Sequence, residues 1–288
     1  MRYELNNGCI SVEIDSHGAE IKSIQKNGTE YMWSGDPKYW GRTSPVLFPF
    51  VGSVSNGVYR IDDTEYPMGQ HGFARDMEFT LSSQSSKSLV FSLSSNEETL
   101  RKYPFDFVLK ITYTIEENTL TVSWMVENPS EAPMYFSIGA HPAFNCPIKD
   151  GNQCDYKLKF NSDNDIEYFL LKNGLLDKSK KYTLSLNNGY SDIIPGMFDN
   201  DALIIEDGQA SEISLCYPDG NEYVTVKTSA PLFGIWSPAK KNAPFICIEP
   251  WYGRCDADGF TGELSEREYS NTLRAGEIFR AEYTVEFN

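Results

Sequence analysis

The sequence predicts an all-β protein built of packed antiparallel sheets. Apolar and polar residues alternate along many short segments, Asn-Gly pairs separate several of them, and a helical pattern occurs once. Alternation with a period of two is typical of strands with one buried face. Many short strands with turns between them favour antiparallel sheets over alternating strands and helices. The 288 residues predict one all-β domain, 1–288, that is long enough to bury a substantial core.

The chain begins with predicted hairpins. Alternating segments at 4–5, 10–14, 19–24 and 29–32 are separated by turns that contain Asn7-Gly8 and Asn27-Gly28. Asn-Gly between two such segments indicates a type I′ turn, which requires positive φ at both central residues.

The same alternation continues to the end of the sequence. Further strands are predicted over 79–81, 89–93, 108–115, 120–126 and 278–287. Only residues 96–103 have a helical pattern, and this predicted helix is short.

Composition excludes several classes of partner. The formal net charge is -16 and the pI is near 4.6, which opposes binding to nucleic acid or to anionic membranes, because both need concentrated positive charge. No segment approaches the roughly 20 apolar residues of a membrane span, and residues 1–8 lack the apolar stretch of a signal peptide. We expect a cytoplasmic protein with a small-molecule ligand; the oligomeric state is left open.

The six cysteines do not suggest a disulfide framework. They are scattered, and no Cys-x-x-Cys or Cys/His cluster occurs, which disfavours a structural zinc site. Cys9, Cys216 and Cys247 lie in apolar segments where buried thiols are common. Cys255 follows one of the motifs described next and is interpreted as an incidental thiol. No cofactor fingerprint occurs, so no metal and no cofactor is expected.

Three constrained loops each contain one titratable residue. His71 lies in Gly69-Gln70-His71-Gly72-Phe73-Ala74-Arg75, His141 in Gly139-Ala140-His141-Pro142-Ala143-Phe144, and Glu249 in Ile248-Glu249-Pro250-Trp251. Glycine and proline around a titratable residue fix the backbone at a local cost, which is typical of functional sites. His17, by contrast, lies in an ordinary polar turn.

These three motifs resemble the aldose 1-epimerase (galactose mutarotase-like) family, in particular its LacX-like bacterial branch. The resemblance runs nearly end to end. It implies a large antiparallel β-supersandwich with few short helices, and an isomerase that interconverts the α and β anomers of a sugar. The implied ligand is a carbohydrate.

The resemblance also implies roles for the three residues. His141, in His-Pro-Ala-Phe, would protonate the ring oxygen, and Glu249, in Glu-Pro-Trp, would take the proton of the anomeric hydroxyl. His71, in His-Gly-Phe-Ala-Arg, would stabilise charge as the ring opens. Glu249 follows an apolar strand, and its desolvation would make it a better base at neutral pH.

Four further residues are candidate sugar contacts. A guanidinium group suits sugar hydroxyls or a phosphate, so Arg42 and Arg75 are candidates, although either could form a structural ion pair. Asp201 matches a family position that accepts sugar hydroxyls, with Asp199 as a neighbouring rival. Trp251 is the best candidate for a stacking surface.

Other aromatic residues, namely Phe73, Phe144 and Trp236, could be pocket walls or core.

Three alternative interpretations are open. Two histidines and Glu249 could form a facial metal triad, although each lies in its own motif. A non-catalytic sugar-binding or regulatory protein would keep the aromatic and arginine residues without needing an acid/base pair. A glycoside hydrolase would need two carboxylates, and only Glu249 lies in a supporting motif. His-Gly-Phe departs from the His-Gly-Gly type of the galactose enzymes, so the sugar, free or phosphorylated, stays open.

Overall fold

Alternating burial shapes the longest strands of the protein. The computed structural model describes residues 1–288. Along 109–115 every second side chain is buried, and the same holds along 120–126. Apolar β-branched and aromatic residues on one face of such a strand bury it against the core, as a period of two requires.

The strands are numbered in chain order. The first nine are β1 (Arg2–Asn6), β2 (Ile10–Asp15), β3 (Glu20–Lys26), β4 (Thr29–Glu30), β5 (Val46–Leu47), β6 (Val58–Ile61), β7 (Thr64–Pro67), β8 (Thr80–Gln84) and β9 (Ser88–Ser94). The next nine are β10 (Val108–Glu116), β11 (Thr119–Glu127), β12 (Met134–Phe136), β13 (Ile138–Ala140), β14 (Ala143–Asn145), β15 (Lys157–Phe160), β16 (Ile166–Tyr168), β17 (Leu171–Lys172) and β18 (Leu175–Leu176). The last nine are β19 (Tyr182–Leu184), β20 (Tyr190–Asp192), β21 (Leu203–Ile205), β22 (Glu212–Cys216), β23 (Glu222–Thr228), β24 (Leu232–Trp236), β25 (Phe245–Tyr252), β26 (Asn271–Leu273) and β27 (Ile278–Phe287).

Helical structure is limited to short pieces. The α-helix α1 spans Glu97–Lys102, and four 3₁₀ turns span Ser55–Gly57, Ala74–Asp76, Gln153–Asp155 and Leu264–Glu266. None of these helices is long and apolar enough to cross a membrane.

Two large antiparallel sheets dominate the architecture. One has nine strands in the order β20-β15-β22-β23-β27-β11-β10-β9-β8, and the other has the order β21-β24-β25-β13-β5, with β14 also paired to β25. A smaller sheet, β1-β2-β3-β4, and several hairpins complete the fold. Side chains from both large sheets, such as Ile111 and Val285 from the first and Ile246 and Ile248 from the second, share one core. This is the predicted all-β, large antiparallel β-supersandwich.

The predicted hairpins form, with one difference in turn type. Asn27 and Gly28 both have positive φ, 52° and 77°, as a type I′ turn requires. At the first hairpin only Gly8 does, and Asn7 accepts hydrogen bonds from the backbone N–H groups of Cys9 and Ile10. The type I′ prediction is wrong there, because this Asn7 side chain stabilises a longer turn.

The predicted helix and the free thiols are also present. Asn96 caps α1, and it forms a reciprocal capping box with Thr99, which stabilises a helix too short to form alone. All six cysteines are unpaired.

Candidate active site

Glu249 lies on the face of β25 that is turned away from the shared core. Ile246 and Ile248 pack into that core, so alternation places Cys247, Glu249 and Trp251 on the opposite face. Glu249 and Trp251 line a cavity of about 440 Å³. Glu249 is nevertheless only 1% exposed, so its carboxyl group is largely desolvated.

His141 faces Glu249 from a gap between two short strands. β13 pairs Gly139 with Trp251 of β25, and β14 pairs Ala143 with Cys247 of the same strand. The register is the same on both sides of the gap, so His141 lies directly opposite Glu249. Directly opposed residues point to the same face, and His141 Nε2 is 3.4 Å from Glu249 Oε1.

His71 is held by a strained loop that leaves one ring nitrogen free. His71 and Gly72 both have positive φ, 66° and 70°, and a side chain at Gly72 would collide with the carbonyl of Phe48. The backbone N–H of Gly52 donates to His71 Nδ1 at 3.0 Å. Because Nδ1 accepts this bond, Nε2 carries the ring proton of neutral His71. The His71 and His141 rings lie 5.6 Å apart between centroids.

Trp251 fits a slot made by two glycines. A methyl group at Gly139 would lie 2.6 Å from Cδ1 of the indole, and one at Gly234 would lie 2.4 Å from its Cζ2. Any larger residue at either position would displace the ring. The slot places the indole N–H beside the carboxyl group of Glu249, where it favours the ionised form.

Of the two predicted arginines, one lines the cavity. Arg75 lies in the wall, and its Nη2 donates to the carbonyl of Gln70 at 2.7 Å. Arg42 is not among the lining residues; its Nη2 pairs with Asp76 Oδ1 at 2.7 Å. Arg42 therefore acts on the site through its charge rather than through a contact with the wall.

The structure also separates the other predicted contacts. Asp201 lines the cavity and Asp199 does not. Trp236 is in the wall, whereas Phe144 is wholly buried in the core and Phe73 belongs to the same core. His17 is exposed near Glu78 and does not line the cavity.

Sequence reasoning missed one wall of the cavity. Tyr39 and Trp40 line it, and the Trp40 ring stacks on His141 with 4.7 Å between centroids and 26° between planes. Lys241, another lining residue, donates to the carbonyl of Tyr39 at 2.8 Å. Adjacent aromatic residues between Pro37 and Gly41, outside any strand pattern, are the signal that could have located this loop.

Burial shifts the titrating groups towards their neutral forms. The pKa of Glu249 is well above its ordinary value because the carboxyl group is desolvated and the negative charge of Asp201 is near. Desolvation, together with the positive charges of Arg75 and Arg42, lowers the pKa of His141 to about 3. Burial, His141 and the arginines likewise hold the pKa of His71 well below its usual range. At any pH between these two pKa values the His141–Glu249 pair holds one proton, which lies on Glu249.

Unpaired buried polar atoms concentrate around this cavity. His141 Nδ1, Glu249 Oε2, Trp251 Nε1 and Arg75 Nε are buried without a hydrogen-bond partner. Buried polar atoms are rarely left unpaired in proteins, so these four atoms are available to bind polar groups that enter the cavity. The potential metal ligands that lie together are His141, Cys247 and Glu249; His71 is not among them, unlike in the triad of two histidines considered from the sequence.

Comparison with known proteins gives the family. The profile of the family described as aldose 1-epimerase matches residues 1–282. The chain is 34% identical over 264 residues to the chromosomal protein LacX of Lactococcus lactis subsp. lactis, with 88% of each chain covered.

Two solved structures are also similar over nearly the whole chain. A galactose mutarotase related enzyme from Lactobacillus acidophilus is 35% identical with a TM-score of 0.94, covering 100% of this chain and 97% of that one. A galactose mutarotase-like protein from Lactobacillus casei is 29% identical with a TM-score of 0.93 and full coverage of both chains. With the family profile spanning almost the whole sequence, the chain belongs to the aldose 1-epimerase family and is a relative of protein LacX.

Proposed function

We propose that the protein is an aldose 1-epimerase (mutarotase) that interconverts the α and β anomers of an aldose or an aldose phosphate by acid/base ring opening. The observation that carries the proposal is the buried His141–Glu249 pair, 3.4 Å apart in a cavity walled by indole rings. A ring opening needs one group to accept a proton and another to deliver one. A positioned acid or base contributes on the order of 10²–10⁴-fold each.

The single proton shared by His141 and Glu249 is the number that this reaction needs. With the shared proton on His141, Glu249 removes the proton of the anomeric hydroxyl, the bond from C1 to the ring oxygen breaks, and the ring oxygen takes the proton of His141. The open-chain aldehyde then rotates about its C1–C2 bond. The reverse steps close the ring on the other face and restore the pair.

The reaction starts with the shared proton on His141, and this form differs from the free protein only in which residue of the pair carries the proton. In the free protein, at a pH between the pKa values of the two groups, the proton lies on Glu249 because both groups are desolvated. Sugar hydroxyls that bind the two groups would supply the polar surroundings that an ionised pair needs. Proton transfer across the 3.4 Å contact then gives the reactive form without exchange with bulk water.

The other lining residues have supporting roles in this proposal. His71 Nε2–H would donate to the sugar near the reacting centre. Asp201 would accept sugar hydroxyls, and Trp251, Trp236 and Trp40 would stack on apolar sugar faces. Arg75 brings a positive charge and an unpaired Nε to the wall, which supports testing 6-phosphorylated as well as free aldoses.

The test is anomer exchange measured by NMR or polarimetry across a panel of free and 6-phosphorylated aldoses. Glu249→Gln keeps the shape of the side chain but removes its basicity, so exchange should fall by about 10²-fold or more while the sugar dissociation constant changes little. Asp199→Asn is the matched control. Asp199 is two residues from Asp201 but lies outside the cavity wall, so this variant should keep full activity.

Two outcomes would contradict the proposal. If the wild-type protein exchanged no sugar of the panel faster than buffer but bound one of them by calorimetry, the non-catalytic sugar-binding alternative would be correct. If folded Glu249→Gln kept near-normal exchange, Glu249 would not be the base.

A further inference from the structure

A thiol lies directly beneath the proposed acid and base. Cys247 precedes Glu249 by two residues on β25 and so points to the same face. One ligand atom each of Cys247, Glu249 and His141, namely a sulfur, an oxygen and a nitrogen, lie within 4.8 Å of one another. Cys247 is fully buried, and the other two are 1% and 7% exposed. The proposed chemistry gives this thiol no role.

We propose that Cys247, His141 and Glu249 form a site for Zn²⁺ or a similar thiophilic divalent cation, which occupies the cavity in competition with sugar. One thiolate, one imidazole and one carboxylate are a donor set that zinc binds, whereas Mg²⁺ and Ca²⁺ prefer oxygen alone. With three protein ligands, the fourth position would be open to water.

The spacing is close to what a tetrahedral cation needs. Zinc bonds of about 2.0–2.3 Å place neighbouring ligand atoms roughly 3.3–3.5 Å apart. The His141–Glu249 contact of 3.4 Å already meets this distance. The distances from these two groups to the Cys247 sulfur are at most 4.8 Å, and small side-chain rotations would shorten them. The backbone register of β25 and its neighbours needs no change.

The ligands are also free to bind. A cation would replace the contact between His141 Nε2 and Glu249 Oε1. The second atom of each group, His141 Nδ1 and Glu249 Oε2, has no hydrogen-bond partner, so few existing interactions would break. Asp201 adds a negative charge near Glu249, while Arg75 and Arg42 add positive charge near His141. The attraction of a doubly charged cation to a thiolate and two carboxylates outweighs the repulsion from the two arginines, both of which lie within ion-pair distance of Asp76.

Binding of the cation does not depend on the proposed reaction, but its effect on activity does. Two of the three ligands are the proposed acid and base, so a bound cation removes both from proton transfer. The same cavity gives access to His141 and Glu249, so sugar and cation compete. We expect Zn²⁺ to inhibit anomer exchange and a chelator to restore it.

The direct test is titration of the protein with Co²⁺, a spectroscopic substitute for Zn²⁺. A near-ultraviolet charge-transfer band from thiolate to cobalt, with intense visible d–d bands, is expected for the wild type. Cys247→Ser should lose the charge-transfer band and weaken Zn²⁺ binding by about 100-fold or more in calorimetry, yet keep anomer exchange that Zn²⁺ inhibits far less.

Cys216→Ser is the control, because Cys216 is another buried free thiol but lies in the other large sheet; it should behave as wild type. If Cys247→Ser does not fold, His141→Asn tests the same site through loss of the intense d–d bands. A missing thiolate band in the wild type, or one that survives in Cys247→Ser, overturns the proposal. A thiolate band in a protein without exchange activity would instead contradict only the proposed function.

Discussion

At the residue scale, burial moves the pKa values of Glu249 and His141 in opposite directions. Between those two values the pair holds a single proton, which is the number that ring opening requires. At lower pH a second proton would occupy the base, and at higher pH the acid would have none.

The pH dependence of kcat/KM should therefore be broad. Since the pKa of His141 is lowered to about 3, no fall should be centred near the ordinary histidine value of about 6.5. The alkaline fall should follow the raised pKa of Glu249. Exchange rates measured by NMR at low sugar concentration check this, because kcat/KM reports the free enzyme. An acid midpoint near that of free histidine would show that His141 is not desolvated as described.

Ionisation of the buried Glu249 side chain should lower the free energy of unfolding at alkaline pH. Its folded pKa is above the unfolded value, so its stabilising contribution is complete below about pH 4.5 and is lost as the pH rises through the folded pKa. Glu249→Gln cannot ionise and should be more stable than wild type by about 0.5–2 kcal/mol at pH 8. Urea unfolding at pH 8 and pH 5 measures the difference, which should shrink at pH 5. If Glu249→Gln raised the free energy of unfolding equally at pH 8 and pH 5, ionisation of Glu249 would be excluded as the cause.

At the scale of single elements, β25 carries Glu249 and Trp251, and its neighbours β13 and β24 leave room for the Trp251 indole. Glycine at 139 and 234 lets the Trp251 indole cross both neighbouring strands. Gly234→Ala should displace the indole, destabilise the fold by about 1–3 kcal/mol and lower exchange activity. In Gly234→Ala/Trp251→Leu the stability cost of the alanine should largely disappear, because the colliding ring is absent.

Gly69→Ala is the matched control for this prediction. Gly69 has no positive φ, and a methyl group there meets nothing within 4 Å, so it should be nearly neutral. Thermal unfolding of the single and double variants gives the coupling free energy. Additive effects of Gly234→Ala and Trp251→Leu would mean that the slot is not what constrains residue 234.

The strands themselves were largely predictable, but their partners were not. Alternation identified β2, β10, β11 and β27, because each has one face in the core. Alternation does not specify which strand pairs with which. The opposition of His141 and Glu249 arises from pairing between segments about a hundred residues apart, which no local pattern encodes.

Because local patterns do not encode contacts between distant segments, only part of the candidate site could be predicted. The Gly- and Pro-flanked motifs identified His71, His141 and Glu249, since local backbone constraint is visible in sequence. Arg42 and Trp40 depend on how distant loops pack: Arg42 meets Asp76, and Trp40 meets His141. Cys247 was interpreted as one buried thiol among several because only the fold places it beside two other ligands.

At the scale of the whole molecule, β27 occupies the middle of the nine-stranded sheet, between β11 and β23. Deleting residues 278–288 would expose two strand edges and remove buried residues such as Tyr283 and Val285. We expect that variant not to fold. Deleting residues 1–7 removes the edge strand β1, in which Leu5 is the one buried residue, so the variant should fold with a loss of about 2–4 kcal/mol.

Circular dichroism, thermal unfolding and size-exclusion chromatography distinguish these two truncations. A cooperative unfolding transition in the variant that lacks 278–288 would show that β11 and β23 can close the sheet without β27.

The stack of Trp40 on His141 also gives the molecule an optical property. Three of its five tryptophans, Trp40, Trp236 and Trp251, line the cavity, so a ligand that enters changes the surroundings of most of its indole fluorophores at once. A protonated imidazole quenches the emission of an indole that it touches, whereas a neutral one does so weakly. The intrinsic fluorescence therefore reports both occupancy of the cavity and the charge of His141, with no label attached to the protein.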